Sequence, residues 1–245
     1  MNSVILRTFI GFIKPWQEFW QRSREDGFLF TLITLLYKFI PESLFHAKGF
    51  VIVSLEPQES ATSRAEALGV RAATPDDLDL LSHCGYPKPV LGYWLERGAR
   101  AWLVEREGEL LGCYWLDGHE RYYLYDWLVI KSAPKDIWVL WWWIAHEHRK
   151  QDLAYQIRIP GVSECARAGF TQMLGAVDML NHNGVKGCEK MGCTTVGRLL
   201  ILRILGLTFV RCGRSLRVGR WDFASVLELP MEELLSKAQK REKKK

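Results

Sequence analysis

Apolar residues in the first fifty positions fall into two runs, residues 4–13 and 28–40, separated by the charged segment 21–26. In the second run Phe28, Leu32, Leu35, Leu36 and Phe39 recur at intervals of three and four, which gathers apolar side chains on one face of an α-helix. Neither run approaches the roughly 20 apolar residues that a bilayer core demands, and Lys14 and Lys38 interrupt them, so a spanning helix is not expected. No charged leader and small-residue cleavage site frame the first run, which argues against a cleaved signal peptide. The pattern predicts an amphipathic helical arm over residues 1–48. Its apolar stripe would rest on a membrane surface, in the groove of a membrane-protein partner, or against the domain that follows.

Beyond the arm the period changes. Residues 50–55 are a run of strand formers, and the polar stretch that follows, to Ser63, has the composition of a linker. Thr74-Pro75-Asp76-Asp77 carries a helix-start signal, with a hydroxyl at the cap, proline at the first helical position and carboxylates at the positive end of the dipole. Residues 101–105 and 110–116 are rich in strand formers, flank the turn Arg106-Glu107-Gly108-Glu109 and predict a β-hairpin. Residues 122–130 and 137–144 read as two paired strands, the second buried because it shows no polar alternation; a helix through Trp141-Trp142-Trp143 is the competing assignment. A helix over 151–168 stopped by Gly169, a strand over 170–179 and a short helix over 184–191 stopped by Gly192 complete the order. Hairpinned strands followed by helical crossovers specify an α/β fold, a mixed and mostly antiparallel sheet flanked by helices.

Composition sharpens this in three respects. With 245 residues, 48% hydrophobic and 25% charged, the chain suits one principal core with extensions. Eleven tryptophans are many, and they predict either a Trp-rich core or an extended lipid or partner contact. Much of the net charge of +5 sits at the end, where Lys237, Lys240, Arg241, Lys243, Lys244 and Lys245 face only Glu242, so no nucleic-acid-binding face is expected. Six scattered cysteines without a C-x-x-C pair are expected to be reduced and the protein cytoplasmic, peripheral to the inner face of the membrane if the arm docks there. No histidine lies at ligand spacing from a cysteine, so no metal is assigned.

The joints of residues 70–200 carry a resemblance. Ile144-Ala145-His146-Glu147-His148-Arg149-Lys150-Gln151-Asp152-Leu153-Ala154, then Ala166-Arg167-Ala168-Gly169-Phe170, then Asn181-His182-Asn183-Gly184 and Glu189-Lys190-Met191-Gly192-Cys193 resemble, in order and spacing, the signatures of the GNAT superfamily of acyl-CoA-dependent N-acyltransferases. The resemblance implies a donor cosubstrate, acetyl-CoA or another acyl-CoA, cradled by Ile144, Arg149, Lys150, Gln151, Asp152, Leu153, Ala154 and Asn181. A loop entering a helix suits a pyrophosphate because it presents backbone N–H groups and a positive dipole end. The chain departs from the family at Lys150 and Asp152, where glycine is expected, and at Cys188, which stands where a proton-donating tyrosine is expected.

The resemblance also implies a small-molecule amine acceptor, a base to deprotonate it and an acid to protonate the leaving thiolate. Asp126, Glu147 and Cys188 are the candidate catalytic residues. Asp126 is either a buried carboxylate within an apolar strand or an exposed one at an edge. A softer likeness to a branch linked to bacterial polysaccharide assembly implies an amino-sugar or polysaccharide-precursor acceptor. The domain organisation expected is an arm over 1–48, a GNAT-like domain over 49–223 and a charged tail over 224–245. The rival functional class is a GNAT-like scaffold without chemistry in a membrane-associated complex.

Overall fold

The computed structural model describes residues 44–149, 152–221 and 225–234, so residues 1–43 of the amphipathic arm expected over 1–48 lie outside the described residues, while residues 45–48 belong to a strand and not to a helical arm. Strand β1 (Phe45–Leu55) begins five residues before the apolar run and carries the polar residues His46 and Lys48 into the sheet. The predicted hairpin is present as β3 (Arg100–Arg106) and β4 (Glu109–Asp117). Glu107 and Gly108 both have positive φ at the turn, the conformation that matches strand twist in a two-residue hairpin. Ahead of it, Thr74 donates its backbone N–H to the Asp77 carboxylate at 2.8 Å, which starts a 3-10 turn that leads into a helix. Two short helices, α2 (Leu78–Leu81) and α3 (Lys88–Glu96), follow α1 (Ser63–Ala67) and the two-residue strand β2 (Arg71–Ala72).

Residues 122–130 are not one strand. They fold as a tight hairpin, β5 (Arg121–Tyr125) and β6 (Leu128–Lys131), with Asp126 and Trp127 in the turn, and they do not pair with the run that follows. Tyr122 stacks on Trp138 at 4.2 Å between ring centroids, so this hairpin lies on the face of the sheet instead of extending it. The Trp-rich run is strand β7 (Asp136–Ile144), which settles the helix-or-strand alternative.

The helix expected over 151–168 is divided into α4 (Leu153–Gln156) and α5 (Ile159–Arg167). Pro160 has no N–H to offer the Gln156 carbonyl, so the ladder breaks one turn earlier. Strand β8 (Gln172–Asp178), helix α6 (His182–Lys190) and strands β9 (Thr194–Ile204), β10 (Leu207–Cys212) and β11 (Ser215–Gly219) follow. Order continues past residue 223, because Leu227 and Leu229 of β12 (Leu227–Pro230) and Met231 and Leu234 of α7 (Met231–Leu234) are buried in the core.

Nine strands form one sheet in the order β11-β10-β9-β1-β8-β7-β4-β3-β2, antiparallel throughout except for the parallel pair β7 and β8. Helices α4, α5 and α6 cover one face, where Trp102, Tyr114, Ile137, Val162 and Met173 pack. On the other face α2 and α3 pack around Leu103 and Trp115, and the small sheet β12-β6-β5 with α7 packs around Ile52, Trp138 and Leu174. None of the nine described tryptophans is exposed, so among the described residues Trp serves the core. Among the described residues no helix is long and apolar enough to cross a membrane.

Candidate functional site

The parallel pair is where the sheet opens. β7 pairs with β8 only from Asp136 to Val139, while its other edge stays paired with β4 as far as Ile144. That edge contains a bulge, since Leu116 faces Val139 and Trp115 faces Trp141, leaving Leu140 extra. A bulge bends its strand and raises its twist, so β7 veers away from β8 just where their pairing ends. Meanwhile β8 stays paired with β1 from Met173 to Asp178.

The wedge between the strands opens into cavities on both sides of the sheet. On the side of α5 and α6 a cavity of about 700 Å³ is lined by Tyr114, Trp142, Arg158, Asn181, Gly184 and Cys188 among others. On the opposite side a cavity of about 900 Å³ is walled by aromatic rings, including Tyr86, Tyr93, Trp94, Tyr123 and Tyr125, with Asp117 and Asp126 at its margin. Lys48, Phe50, Leu140, Trp141, Ala176 and Asp178 line both, so the two cavities meet at the gap between β7 and β8. Lys48 and Asp178 form an ion pair there at 2.9 Å, and Asp178 also accepts the Leu180 N–H at 3.0 Å.

Two buried donors in the first cavity have no acceptor among the described residues: Nε1 of Trp142 and Nε of Arg158. Buried polar groups are nearly always paired in folded proteins, so such donors call for acceptors beyond the described residues. Arg158 is only 7% exposed. Its Nη2 donates to the Met191 carbonyl at 3.1 Å and its guanidinium lies 4.8 Å over the Tyr155 ring, but no carboxylate pairs with it among the described residues. A buried cation without a counter-ion is expensive and fits a ligand's oxygen atoms. Arg158 was not a candidate on sequence grounds; an arginine between two apolar positions in a helical run is the only signal it leaves.

The predicted site residues divide. Asn181 and Cys188 line the first cavity; Asn181 caps α6 by accepting the Gly184 N–H at 2.8 Å. Cys188 is buried beside Cys193, whose backbone N–H donates to its carbonyl at 3.0 Å. Hydrogen bonding between the two thiols, with burial, drives the Cys188 pKa up, while the same bond pulls that of Cys193 down. A thiol held protonated in this way is a poor acid. Asp126 is exposed in the β5–β6 turn and borders the aromatic cavity, so it is not the buried carboxylate of the first alternative.

Ile144 and Leu153 are core residues with Ala154 packed beside them. Glu147 is exposed on a 3-10 turn, His146–His148, beyond the end of β7. Arg149 is exposed and donates Nε–H to the Ile144 carbonyl at 3.2 Å, fixing the turn out of the strand. The Asp152 carboxylate pairs with Arg64 at 2.8 Å and accepts from Gln156 at 3.0 Å, so its charge is compensated within the fold. Lys150 and Gln151 lie outside the described residues. Among the described residues no cluster of ligands could hold a metal ion.

No protein-family model matches the chain, and no curated protein matches it. Among solved structures it is similar to an acetyltransferase of the GNAT family from Novosphingobium aromaticivorans, with a TM-score of 0.48 and 14% identity over 63% of this chain and 63% of that one. It is also similar to an aminoglycoside N-acetyltransferase in complex with CoA, with a TM-score of 0.40 and 15% identity over 50% of this chain and 89% of that one. An N-acetyltransferase from Staphylococcus aureus gives 0.38 and 13% identity over 50% and 81%.

Proposed function

We propose that the protein is an acyl-CoA-dependent acyltransferase that acylates an amine across the gap between β7 and β8. The observation that carries this is the wedge itself: an apolar cleft with two orphaned donors on one side of the sheet, meeting an aromatic cavity on the other. The donor's pantetheine arm is a thin chain whose amide and thioester carbonyls need hydrogen-bond donors inside an apolar slot. Trp142 Nε1 and Arg158 Nε supply donors of that kind, and about 700 Å³ is ample for such an arm. Bound acyl-CoA supplies the activated acyl group; the chain's own residues hold it, exclude water and orient the acceptor.

The acceptor belongs in the aromatic cavity. Tyrosine and tryptophan rings stack on the apolar faces of sugar or aromatic rings, and the exposed carboxylate of Asp126 favours a cationic amine. A ring-bearing primary amine, with an amino sugar as the leading case, satisfies both features. Asp178 reaches the gap from the acceptor's side, held by Lys48, and takes the role of the base that removes the ammonium proton before attack; the new C–N bond forms as the thioester C–S bond breaks, and CoA leaves as a thiolate that takes up, through water, the second proton the amine nitrogen loses.

Calorimetric titration of the full chain with acetyl-CoA and with a long-chain acyl-CoA tests the donor half. Saturable binding that weakens in Arg158→Met supports it. No binding of either donor would favour the scaffold alternative. A thiol-release assay over a panel of amino sugars and simple amines then tests the acceptor half.

A further inference from the structure

The outer wing of the sheet breaks the rule that an antiparallel sheet has one dry face and one polar one. On β9, β10 and β11 the inward residues Leu199, Ile201, Val210 and Cys212 are buried in the core. Most outward positions are apolar as well. Cross-strand register places Leu200 beside Arg211 and Leu216 in one row, and Leu202, Phe209 and Val218 in the next. Helix α6 covers this same face over Val51 and Val53 of β1, whereas Leu200, Leu207, Leu216 and Val218 are exposed.

The tip of the wing is stranger. The β9–β10 turn is Leu205-Gly206, both at positive φ, a left-handed conformation that Gly or Asn adopts readily and leucine does not. Leu205 is 73% exposed and thus stands in water in a strained backbone. It donates its N–H to the carbonyl of Leu44, itself exposed, where the chain's apolar N-terminal residues enter the fold. Charge singles out what meets this face. Residues 194–221 contain six arginines and no aspartate or glutamate. Arg203 and Arg217 point inward to hydrogen-bond partners, while Arg211 is exposed within the first row and Arg198, Arg214 and Arg220 are exposed around the two rows.

We propose that the outer face of β9–β11, led by Leu205, docks on an anionic phospholipid surface. Apolar side chains ringed by arginine match a bilayer interface, where the leucines enter the acyl boundary and the guanidinium groups meet lipid phosphates. A second copy of this chain would bring the same arginines against one another.

Flotation of the full chain with phosphatidylcholine vesicles, alone or containing about one part in four phosphatidylglycerol, tests this. The wild type should float with the anionic vesicles and not with pure phosphatidylcholine, and salt should release it. Leu205→Asn relaxes the backbone, so its melting temperature should hold or rise while partitioning falls about tenfold, the loss of one inserted leucine. Arg211→Ser with Arg214→Ser should cost roughly 25-fold, at about fivefold per basic residue. The proposal is overturned if these variants float like the wild type, which would leave binding to the N-terminal arm alone. It is equally overturned if light scattering shows a dimer that Leu216→Glu dissociates.

Discussion

Replacing Arg158 with methionine separates a cation kept for a ligand from one kept for the fold. In the protein alone, Arg158→Met loses one charged hydrogen bond to the Met191 carbonyl, about 1.5–3 kcal/mol, and a stacking contact over Tyr155 of up to about 2 kcal/mol. It also removes a cation that is 7% exposed without a carboxylate partner, whose desolvation costs several kcal/mol. These contributions nearly cancel, so the melting temperature should move by only a few degrees, within about 2 kcal/mol of wild type. Acyl-CoA affinity has no such compensation. Losing a charged donor to the bound ligand removes about 1.5–3 kcal/mol, a 10- to 150-fold rise in Kd. Thermal melting and calorimetric titration of the same preparations read both quantities. A variant that melts more than about 10 °C lower and binds acyl-CoA like the wild type would refute the argument and make Arg158 structural.

Asp178→Asn should leave the melting temperature within a few degrees of wild type yet lower kcat/KM for the amine acceptor by about 10²–10⁴, with partial recovery at high pH, where the amine deprotonates unaided. The Arg71 guanidinium, at 2.6 and 2.8 Å, holds the Asp77 carboxyl well below the usual carboxylate range. A depressed carboxylate stabilises the fold fully above its unfolded value of about 4 and loses that contribution as pH falls below it. Acid melts should therefore show Asp77→Asn costing about 1–3 kcal/mol at neutral pH and progressively less towards pH 3. A Cβ on Gly197 would stand 2.0 Å from the Leu234 carbonyl oxygen, so Gly197→Ala should displace α7 and cost about 3–5 kcal/mol in urea melts through the exposure of Met231 and Leu234. Timed alkylation at neutral pH, followed by mass spectrometry, should label Cys193 ahead of Cys188, whose pKa is raised; the reverse order would contradict that assignment.

What the sequence disclosed was local. The hairpin at Glu107-Gly108, the Thr74-Pro75 helix start, the burial of β7 and the mixed sheet follow from turn chemistry and periodicity, which act within a few residues. Asn181 and Cys188 were reached through motif spacing, and the cavity contains both. Lys48, Arg158 and Asp178 were missed because their meaning depends on strands far apart in sequence. Lys48 and Asp178 are 130 residues apart and pair only because β1 lies beside β8. Each left one trace, a charge inside an otherwise apolar run, which a solvated edge would also leave. The hairpin of β5 and β6 was misjudged as one strand because Asp126-Trp127 lacks the glycine or asparagine that announces a two-residue turn.

The insertion of β1 accounts for the site and the docking face together. Strand β8 makes only four ladder pairings with β7, against six with β1, so its course follows β1, while β7 follows the bulged β4. The sheet thus consists of two halves with different twists, hinged at Val139 and Gly175, and the wedge is where they diverge. The same strand ties β9 to β8, extending the second half outward into the β9–β11 wing and setting Leu44 against Leu205. Docking that wing on a membrane would hold the half carrying Asp178 and Lys48 at the lipid surface, within reach of an acceptor anchored there. An amine on a lipid carrier should then be acylated faster on anionic vesicles than in detergent, and Leu205→Asn should remove that advantage while leaving turnover of a soluble amine unchanged.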